Sequence, residues 1–304
     1  MRVATAFSYQ QAIANLQRRQ EDLSQSQNRL TSGKRVLLPS DDPVAARRVE
    51  RALAVEARVE ATKRAAQASL NAMTLAESAL GDANDILQAI RDAAVAAGNG
   101  AYGDKERAIL AQQIQQYRDQ LLGIANRTDA AGNPLFGGAG VTGDPFVPNG
   151  AGRVEFWAAP GSVGVDNQEI LPVTVDGAYA WDATPGLEVP IFKTLDDFIV
   201  QLRTGGMTSA AVSSAVQTAL GGIDAGMERL QAARAQAGDT LNRIDAIVAR
   251  LDALDLNAKT DRSNAEDLDM VAAIADFQNK QTGYDAALKT YAQVQRLSLF
   301  DYLR

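Results

Sequence analysis

The sequence predicts a mainly α protein, an elongated multi-helix bundle with terminal coiled-coil helices and a small inserted β-rich domain. Three features predict this fold class. Both ends of the chain carry apolar residues at alternating spacings of four and three positions, which is typical of a coiled-coil seam. Long proline-free segments rich in alanine, leucine and charged residues lie inside these ends. A central stretch contains seven of the nine prolines and both tryptophans, which is typical of turns and short strands.

The first predicted helix occupies the N-terminal segment and ends before Gly33, because glycine readily adopts the left-handed conformation that closes a helix. Five of its seven seam positions are apolar, and the positions between them are mostly polar. The helix therefore has one apolar stripe, which requires a partner. The seam positions are Tyr9, Ile13, Leu16, Gln20, Leu23, Gln27 and Leu30.

The second and third predicted helices follow a loop. Asp42 can cap a helix whose first residue is Pro43, because the N–H that proline lacks would have no partner at that position. This helix is predicted to extend from 44 to 97 and to end at the Gly-Asn-Gly turn at 98–100. The third helix is predicted from 104 to about 126, with apolar residues on one face.

The segment 128–192 is predicted to be an acidic β-rich insertion. It contains eight acidic residues and one basic residue, so it accounts for the formal net charge of −7 of the whole chain. Short β-like runs occur at 153–157 and 171–175, between turns rich in glycine and proline. A charged insertion of this kind is expected to face solvent and to favour solubility.

The C-terminal part of the chain is again helical. A short helix is predicted at 194–203 and a long one at 209–256, and the polar segment 257–264 is predicted to interrupt the helical pattern. The terminal helix carries the second seam and ends in an apolar cluster that a monomer has little reason to expose. Its seam positions are Met270, Ile274, Phe277, Gln281, Tyr284, Leu288, Tyr291, Gln295 and Ser298, and its terminal cluster contains Leu297, Leu299, Phe300, Tyr302 and Leu303.

The order of these segments predicts three nested domains. Terminal coiled-coil helices at 1–40 with 262–304 form the first, a helical bundle at 41–127 with 193–261 forms the second, and the insertion 128–192 forms the third. The two matching seams are predicted to pair with each other, N-terminal against C-terminal, although spacing alone leaves open whether such seams pair within one chain or between chains. The apolar C-terminal cluster favours assembly between chains. The apolar and aromatic residues of both seams, together with this cluster, are the predicted assembly interface.

The composition argues against catalysis. The chain has neither cysteine nor histidine, which removes thiolate chemistry, disulfides and the usual general base and metal ligand. Gly33 and Lys34 do not belong to a phosphate-binding loop, because Asn28 and Arg35 occupy positions that require Gly and Ser or Thr. The protein is predicted not to be an enzyme and to need no cofactor or metal. Neither a membrane nor a nucleic acid is an expected partner, since long apolar runs and concentrated basic patches are missing from the sequence.

Several motifs together resemble one known family. The sequences LTSGKR at 30–35 and SDDP at 40–43 resemble the N-terminal signature of the flagellin superfamily. The ending LSLFDYL at 297–303 resembles the C-terminus of the hook–filament junction members of that superfamily. The sequence GNPLFGG at 132–138 is similar to their turn into an outer domain, with Pro134 in place of a more usual aromatic residue. The signature residues are Ser32, Gly33, Lys34, Asp41, Asp42 and Pro43.

The resemblance implies a structural role in the bacterial flagellum. Such proteins are exported unfolded through the flagellar type III channel and form an adaptor ring that joins hook to filament, with their terminal helices innermost. The implied partners are other copies in the ring, the other hook-associated junction protein, flagellin and a flagellar export chaperone. The implied location is outside the cell, in the flagellum. The alternatives are a filament-forming flagellin and, from another class, a coiled-coil secretion-translocator or signalling protein.

Overall fold

The computed structural model describes residues 2–141, 143–164 and 171–302. Helices dominate it and a small two-stranded sheet accompanies them, so the predicted mainly α fold class is confirmed. In chain order the elements are α1 (Arg2–Ser32), α2 (Pro43–Ala97), α3 (Asp104–Ala125), β1 (Phe146–Pro148), β2 (Val154–Phe156), α4 (Gly177–Ala180), α5 (Pro190–Arg203), α6 (Ser209–Glu266) and α7 (Met270–Tyr302).

The helix boundaries predicted from capping residues are confirmed. Gly33 has a φ of +69°, and its N–H donates a hydrogen bond of 2.9 Å to the last turn of α1. Asp42 Oδ1 accepts hydrogen bonds from the N–H groups of Val44 at 3.1 Å and Ala45 at 3.0 Å, and Pro43 is the first residue of α2. These signals depend only on neighbours in the chain, which is why the sequence predicts them.

The predicted interruption at 257–264 is wrong, because α6 continues through it. Most polar side chains of this segment lie on the exposed side of the helix, whereas Ala258 and Ala265 are buried on the other side. The polar pattern therefore marks a solvated face and not a helix end. The chain leaves the helix only near Asp269, whose Oδ1 accepts hydrogen bonds of 3.0 and 3.1 Å from the opening N–H groups of α7.

The chain forms two compact units. The first contains Met1–Val59 and Asp252–Arg304, and the second contains Glu60–Leu251. Within the first unit α1 packs against α7, and within the second unit α3 packs against α5. The first unit therefore contains both predicted seams, and the second contains the central segment.

The second unit is built around an aromatic cluster to which α5 and the central segment contribute. The ring of Trp181 lies 5.9 Å from that of Phe192 in a stacked arrangement and 5.8 Å from that of Phe136 edge to face. Phe146 of β1 and Phe156 of β2 have ring centroids 5.0 Å apart. All five side chains are buried in one continuous core, so the central segment is stabilised by the helices that it contacts.

The central segment contains less sheet than its composition suggests. β1 and β2 form an antiparallel pair, which confirms the strand predicted at 153–157 over its middle residues. The run 171–175 is not a strand, and Pro172 makes a single bridge to Gly164. Proline has no N–H with which to continue a ladder, and the hydroxyl of Thr174 donates instead to a loop carbonyl at 2.7 Å.

Candidate assembly surface

α1 and α7 lie side by side and antiparallel in the first unit, so the predicted pairing of the two terminal seams is confirmed. The rings of Tyr9 and Tyr291 meet edge to face, with centroids 6.4 Å apart. Farther along the pair, Ser26 Oγ donates a hydrogen bond of 3.3 Å to Asp276 Oδ2. These two contacts define the register in which the helices meet.

At every second seam position, the residue that faces the opposite helix is not the predicted one. The enclosed positions of α1 include Ala12 and Ser26, and those of α7 include Ala273, Lys280 and Ala287. Each lies one residue before a predicted seam position. Small side chains such as alanine and serine let two helices approach closely, so the contact turns toward them. The residues shared by both registers, all of them half-buried, are Tyr9, Leu16, Leu23, Leu30, Phe277, Tyr284 and Tyr291.

Four residues of the predicted interface remain exposed on the described part of the pair. The exposed fraction is 44% for Ile13, 45% for Met270, 45% for Ile274 and 41% for Leu288. An apolar stripe of this breadth is wider than a single partner helix can cover. One row of the stripe therefore contacts the opposite helix, and the other row lies at the surface.

The apolar C-terminal cluster lies at the end of α7. Leu297, Leu299, Phe300 and Tyr302 belong to the helix, but their side chains lie outside the described residues, as does the whole of Leu303. Their contribution to an assembly interface stays a prediction.

The loop 33–42 and the turn 265–268 pair through their main chains, in an arrangement that we call the loop clasp. The N–H of Arg35 donates to a carbonyl oxygen of the turn at 2.6 Å, and the N–H of Leu268 donates back to the loop at 3.0 Å. The guanidinium of Arg35 adds a bond of 2.8 Å to a carbonyl oxygen near the end of α6. The loop clasp therefore connects the segment after α1 to the segment before α7.

An ion pair between a half-exposed lysine and a buried carboxylate reinforces the loop clasp. Lys34 Nζ lies 2.9 Å from Glu266 Oε2, and Glu266 is buried. Arg262 Nε lies 3.5 Å from the other oxygen of the same carboxylate. A buried carboxylate is costly unless cations or hydrogen bonds accompany it, and Lys34 and Arg262 supply the two cations beside Glu266.

Two acidic signature residues organise the rest of the loop. Asp41 Oδ2 accepts hydrogen bonds of 3.1 Å from the N–H groups of Leu38 and of the residue before it, and these bonds hold the pKa of Asp41 below its usual value. The pKa of Asp42 is also lowered, first by the N–H of Ala45 and then by the guanidinium of Arg35 at 3.1 Å. Both carboxylates therefore stabilise the loop in their charged forms.

Acidification is expected to weaken the first unit through these carboxylates. Their folded pKa values lie below the unfolded value of 3.8, so the stabilisation is present above the unfolded pKa and is lost as the pH falls through the lower folded pKa. Thermal unfolding of the protein assembled on hooks, followed by circular dichroism from neutral pH down to about pH 2, measures this loss. Asp41→Asn should lower the melting temperature at neutral pH and make its acid dependence shallower, whereas the exposed Asp285→Asn serves as the matched control. Identical acid dependence in both variants would contradict this role for Asp41.

The six signature residues all lie in or beside the loop clasp. Ser32 Oγ donates to the carbonyl oxygen of Arg29 at 3.1 Å and accepts from the N–H of Lys34 at 3.2 Å. Sequence reasoning did not identify Glu266 as their partner, because it lies 232 residues from Lys34 and no local pattern links the two. The spacing of Arg262 and Glu266, four residues apart, is the signal that could have marked both as one helical ion pair.

The chemistry of this surface is that of association. Among the described residues, no group of three or more carboxylates has the arrangement of a metal site. Within the same part of the chain, no helix is both long and apolar enough to cross a membrane. The described part of the first unit has an exposed apolar row on the α1–α7 pair, and the loop clasp connects the segment after α1 to the segment before α7.

Comparisons with known proteins give matches at both ends of the chain. The model of the bacterial flagellin N-terminal helical region matches residues 3–140, and that of the bacterial flagellin C-terminal helical region matches residues 220–303. Flagellar hook-associated protein 3 of Salmonella typhimurium is 26% identical over the full length of both chains. The protein of the same name from Escherichia coli is 28% identical over 99% of each chain. The fold is similar to that of flagellar hook-associated protein 3 from Legionella pneumophila, with a TM-score of 0.62 and 17% identity over 70% of this chain and 97% of that one.

Proposed function

The chain belongs to the bacterial flagellin family, and from this membership we propose that it is the adaptor that joins the flagellar hook to the filament. The observation that carries the proposal is the full-length similarity to flagellar hook-associated protein 3, which spans both terminal helices and the loop clasp. The protein is thus a structural component of the bacterial flagellum. No residue is assigned a catalytic role, and the absence of histidine and cysteine from the sequence agrees with that assignment.

The adaptor is a ring of copies with three layers. The terminal helices, 1–40 with 262–304, form the inner layer, and the helical bundle, 41–127 with 193–261, forms the next. The insertion 128–192 faces outward, which its acidic charge supports, because charge at an outer surface favours solubility. The exposed apolar row of the α1–α7 pair supports an inner position, where neighbouring chains exclude water from it.

The neighbours of the ring are the other hook-associated junction protein on the hook side and flagellin on the filament side. Before assembly, a flagellar export chaperone covers the apolar C-terminal cluster. This cluster contains two aromatic and three leucine side chains within seven residues, which a free chain in solution exposes at the cost of aggregation. The partners follow from the family and from this sequence, and each is open to a direct binding measurement.

The terminal helices are expected to fold stably only on assembly. The predicted seam residues whose side chains the structure describes are at most half-buried within one chain, and Gly283 lowers helix stability by about 1 kcal/mol relative to alanine. Limited proteolysis of the dilute monomer should therefore cut first within 1–40 and 262–304, and assembly on hooks should protect both segments. Fragments from 60–251 serve as the internal control, since this unit should resist cleavage in both states. Complete protection of both ends in the monomer would contradict the proposal.

Localisation of the protein tests the function itself. An epitope inserted in the exposed turn 149–152, between β1 and β2, leaves the first unit unchanged. Immunogold electron microscopy of cells with this variant should label one band at the boundary of hook and filament. Label along the whole filament would instead identify a filament-forming flagellin, and label at the cell envelope would identify a translocator.

A further inference from the structure

The α1–α7 pair has an apolar ridge along one face. On each helix the residues one position after the enclosed seam form a row of exposed side chains. From a residue in the contact, the next residue along the chain is rotated around the helix axis. Because the helices are antiparallel, this rotation brings the next residue toward the same face of the pair in α1 and in α7. This ridge consists of Ile13, Gln20 and Gln27 of α1 with Ile274, Gln281 and Leu288 of α7.

The contacts within the pair place the ridge residues at matching heights. With Tyr9 beside Tyr291 and Ser26 beside Asp276, Ile13 lies at the height of Leu288. The two apolar side chains, 44% and 41% exposed, therefore form one protrusion near the Tyr9 end of the pair. The centre of the ridge is polar, because glutamines of both helices occupy it.

The opposite face of the pair has a groove at the same height. Its volume is about 970 Å³, and its lining includes Ala12, Asn15, Gly283, Ala286, Ala287 and Thr290. Most of these residues have small side chains, so the groove lies close to both helix backbones. The polar rim of the groove consists of Arg18, Arg19 and Asp22. The ridge residues are uncharged, so a ridge placed in this groove brings no like charge to the rim.

The ridge and the groove continue the α1–α7 interface on its two sides. The seam residues shared by both registers, such as Leu16 and Tyr284, are only half-buried. The α1–α7 contact by itself therefore leaves these side chains partly accessible to water. Since the ridge and the groove lie on opposite faces of the same pair, they cannot meet within one chain. A second copy in the same orientation can bury both surfaces at once, and a head-to-tail contact of this type closes into a ring when its rotation permits.

We propose that the ridge formed around Ile13 and Leu288 of one copy inserts into the groove formed around Ala12 and Gly283 of the next copy, and that this contact builds the inner layer of the ring. The inference rests on the proposed function, because it assumes that copies assemble side by side. It adds to that function the two surfaces that meet and the direction in which they repeat. Insertion of side-chain ridges into grooves is the general mode of close helix packing.

Paired cysteines provide the test, since the chain contains no cysteine of its own. Two double variants place one cysteine on the ridge and one in the groove, Leu288→Cys with Thr290→Cys, and Ile13→Cys with Asn15→Cys. Within a chain the two positions lie two residues apart on a helix and point to opposite faces, so they cannot form a disulfide with each other. The variants are assembled on hooks in cells, exposed to a mild oxidant and separated on non-reducing gels.

At least one double variant should give a ladder of covalent oligomers that extends beyond the dimer, whereas each of the four single variants should remain monomeric. Dimers from Leu288→Cys or Ile13→Cys alone would show that ridge meets ridge and would overturn the inference. Absence of a ladder from both double variants, although electron microscopy shows both assembled at the hook–filament boundary, would overturn the inference and leave the proposed function intact. Absence of the unmodified chain from the hook–filament boundary would overturn the inference and the proposed function together. Motility of the single variants shows that each substitution preserves folding.

Discussion

Removal of residues 298–304 is expected to leave secretion of the protein intact and to abolish attachment of the filament. These residues include most of the apolar cluster at the end of α7, and the heptad spacing places the cluster beyond the last seam contacts. Because a monomer has little reason to expose an apolar cluster of this size, we expect a neighbouring chain to bury it, so its loss should remove an assembly contact and not a folding contact. Cells with the truncated chain should release flagellin into the medium and fail to swim.

The matched control for this truncation is removal of Arg304 alone, which leaves every apolar residue of the cluster in place. Immunoblots of the medium measure secretion of the adaptor and release of flagellin, and spreading in soft agar measures motility. Full motility of cells without residues 298–304 would show that the cluster makes no assembly contact. Loss of secretion of the truncated chain would instead assign the segment to export.

Replacement of Arg118 is expected to destabilise the second unit more than any exposed ion-pair substitution. Arg118 donates hydrogen bonds of 3.0 and 3.2 Å to the two carboxylate oxygens of Asp196 and one of 2.9 Å to the carbonyl oxygen of Gly152. Its guanidinium also lies 5.6 Å from the ring centroid of Phe192. The side chains of Arg118 and Asp196 are 7% and 16% exposed, so removal of the cation leaves a desolvated carboxylate without its partner.

For Arg118→Met the free energy of unfolding should fall by about 3 kcal/mol, which is the order of magnitude for breaking an enclosed ion pair. Urea unfolding followed by tryptophan fluorescence reports on this unit, because Trp181 stacks on the ring of Phe192 in its core. The matched control is Arg91→Met, whose ion pair with Asp224 has a similar length of 2.8 Å but exposed side chains. Arg91→Met should lower the free energy of unfolding by less than about 1 kcal/mol.

A second substitution separates the charge from the packing of Arg118. Arg118→Met combined with Asp196→Leu should recover part of the lost free energy of unfolding, because no unpaired carboxylate then remains in the core. If the double variant is as unstable as the sum of the two single variants, the ion pair is not the reason for the effect. Equal losses for Arg118→Met and Arg91→Met would also contradict the importance assigned to burial.

The difference between contacts of neighbouring residues and contacts of distant residues explains what could be predicted from the sequence of this protein. The end of α1 at Gly33 and the start of α2 at Asp42 and Pro43 follow from capping chemistry within a few residues, and both were predictable. The pairing of the terminal helices was predictable as well, because two heptad stripes at the ends of one chain require partners. The six signature residues were identified by resemblance, although their contacts were not.

Other features depend on residues that are distant in the chain. The ion pair between Lys34 and Glu266 joins positions 232 residues apart, and no local pattern links them. The polar stretch before Glu266 has the composition of a loop, but it forms the solvated face of α6 because Ala258 and Ala265 are buried behind it. The limited sheet content of the central segment likewise reflects contacts of its aromatic side chains with the helices.

The sequence by itself determined that this chain is helical at both ends, that both terminal helices need a partner and that it belongs among flagellar structural proteins. These properties follow from local capping, heptad spacing and family motifs, all of which are written in consecutive residues. Only the tertiary structure decided which side of each heptad stripe faces the other helix. Ala12 and Ala287 lie in that contact and Ile13 and Leu288 lie outside it, since the closest approach of two helices depends on the small residues of both. The apolar row left at the surface by this choice is the part of the molecule available to another chain.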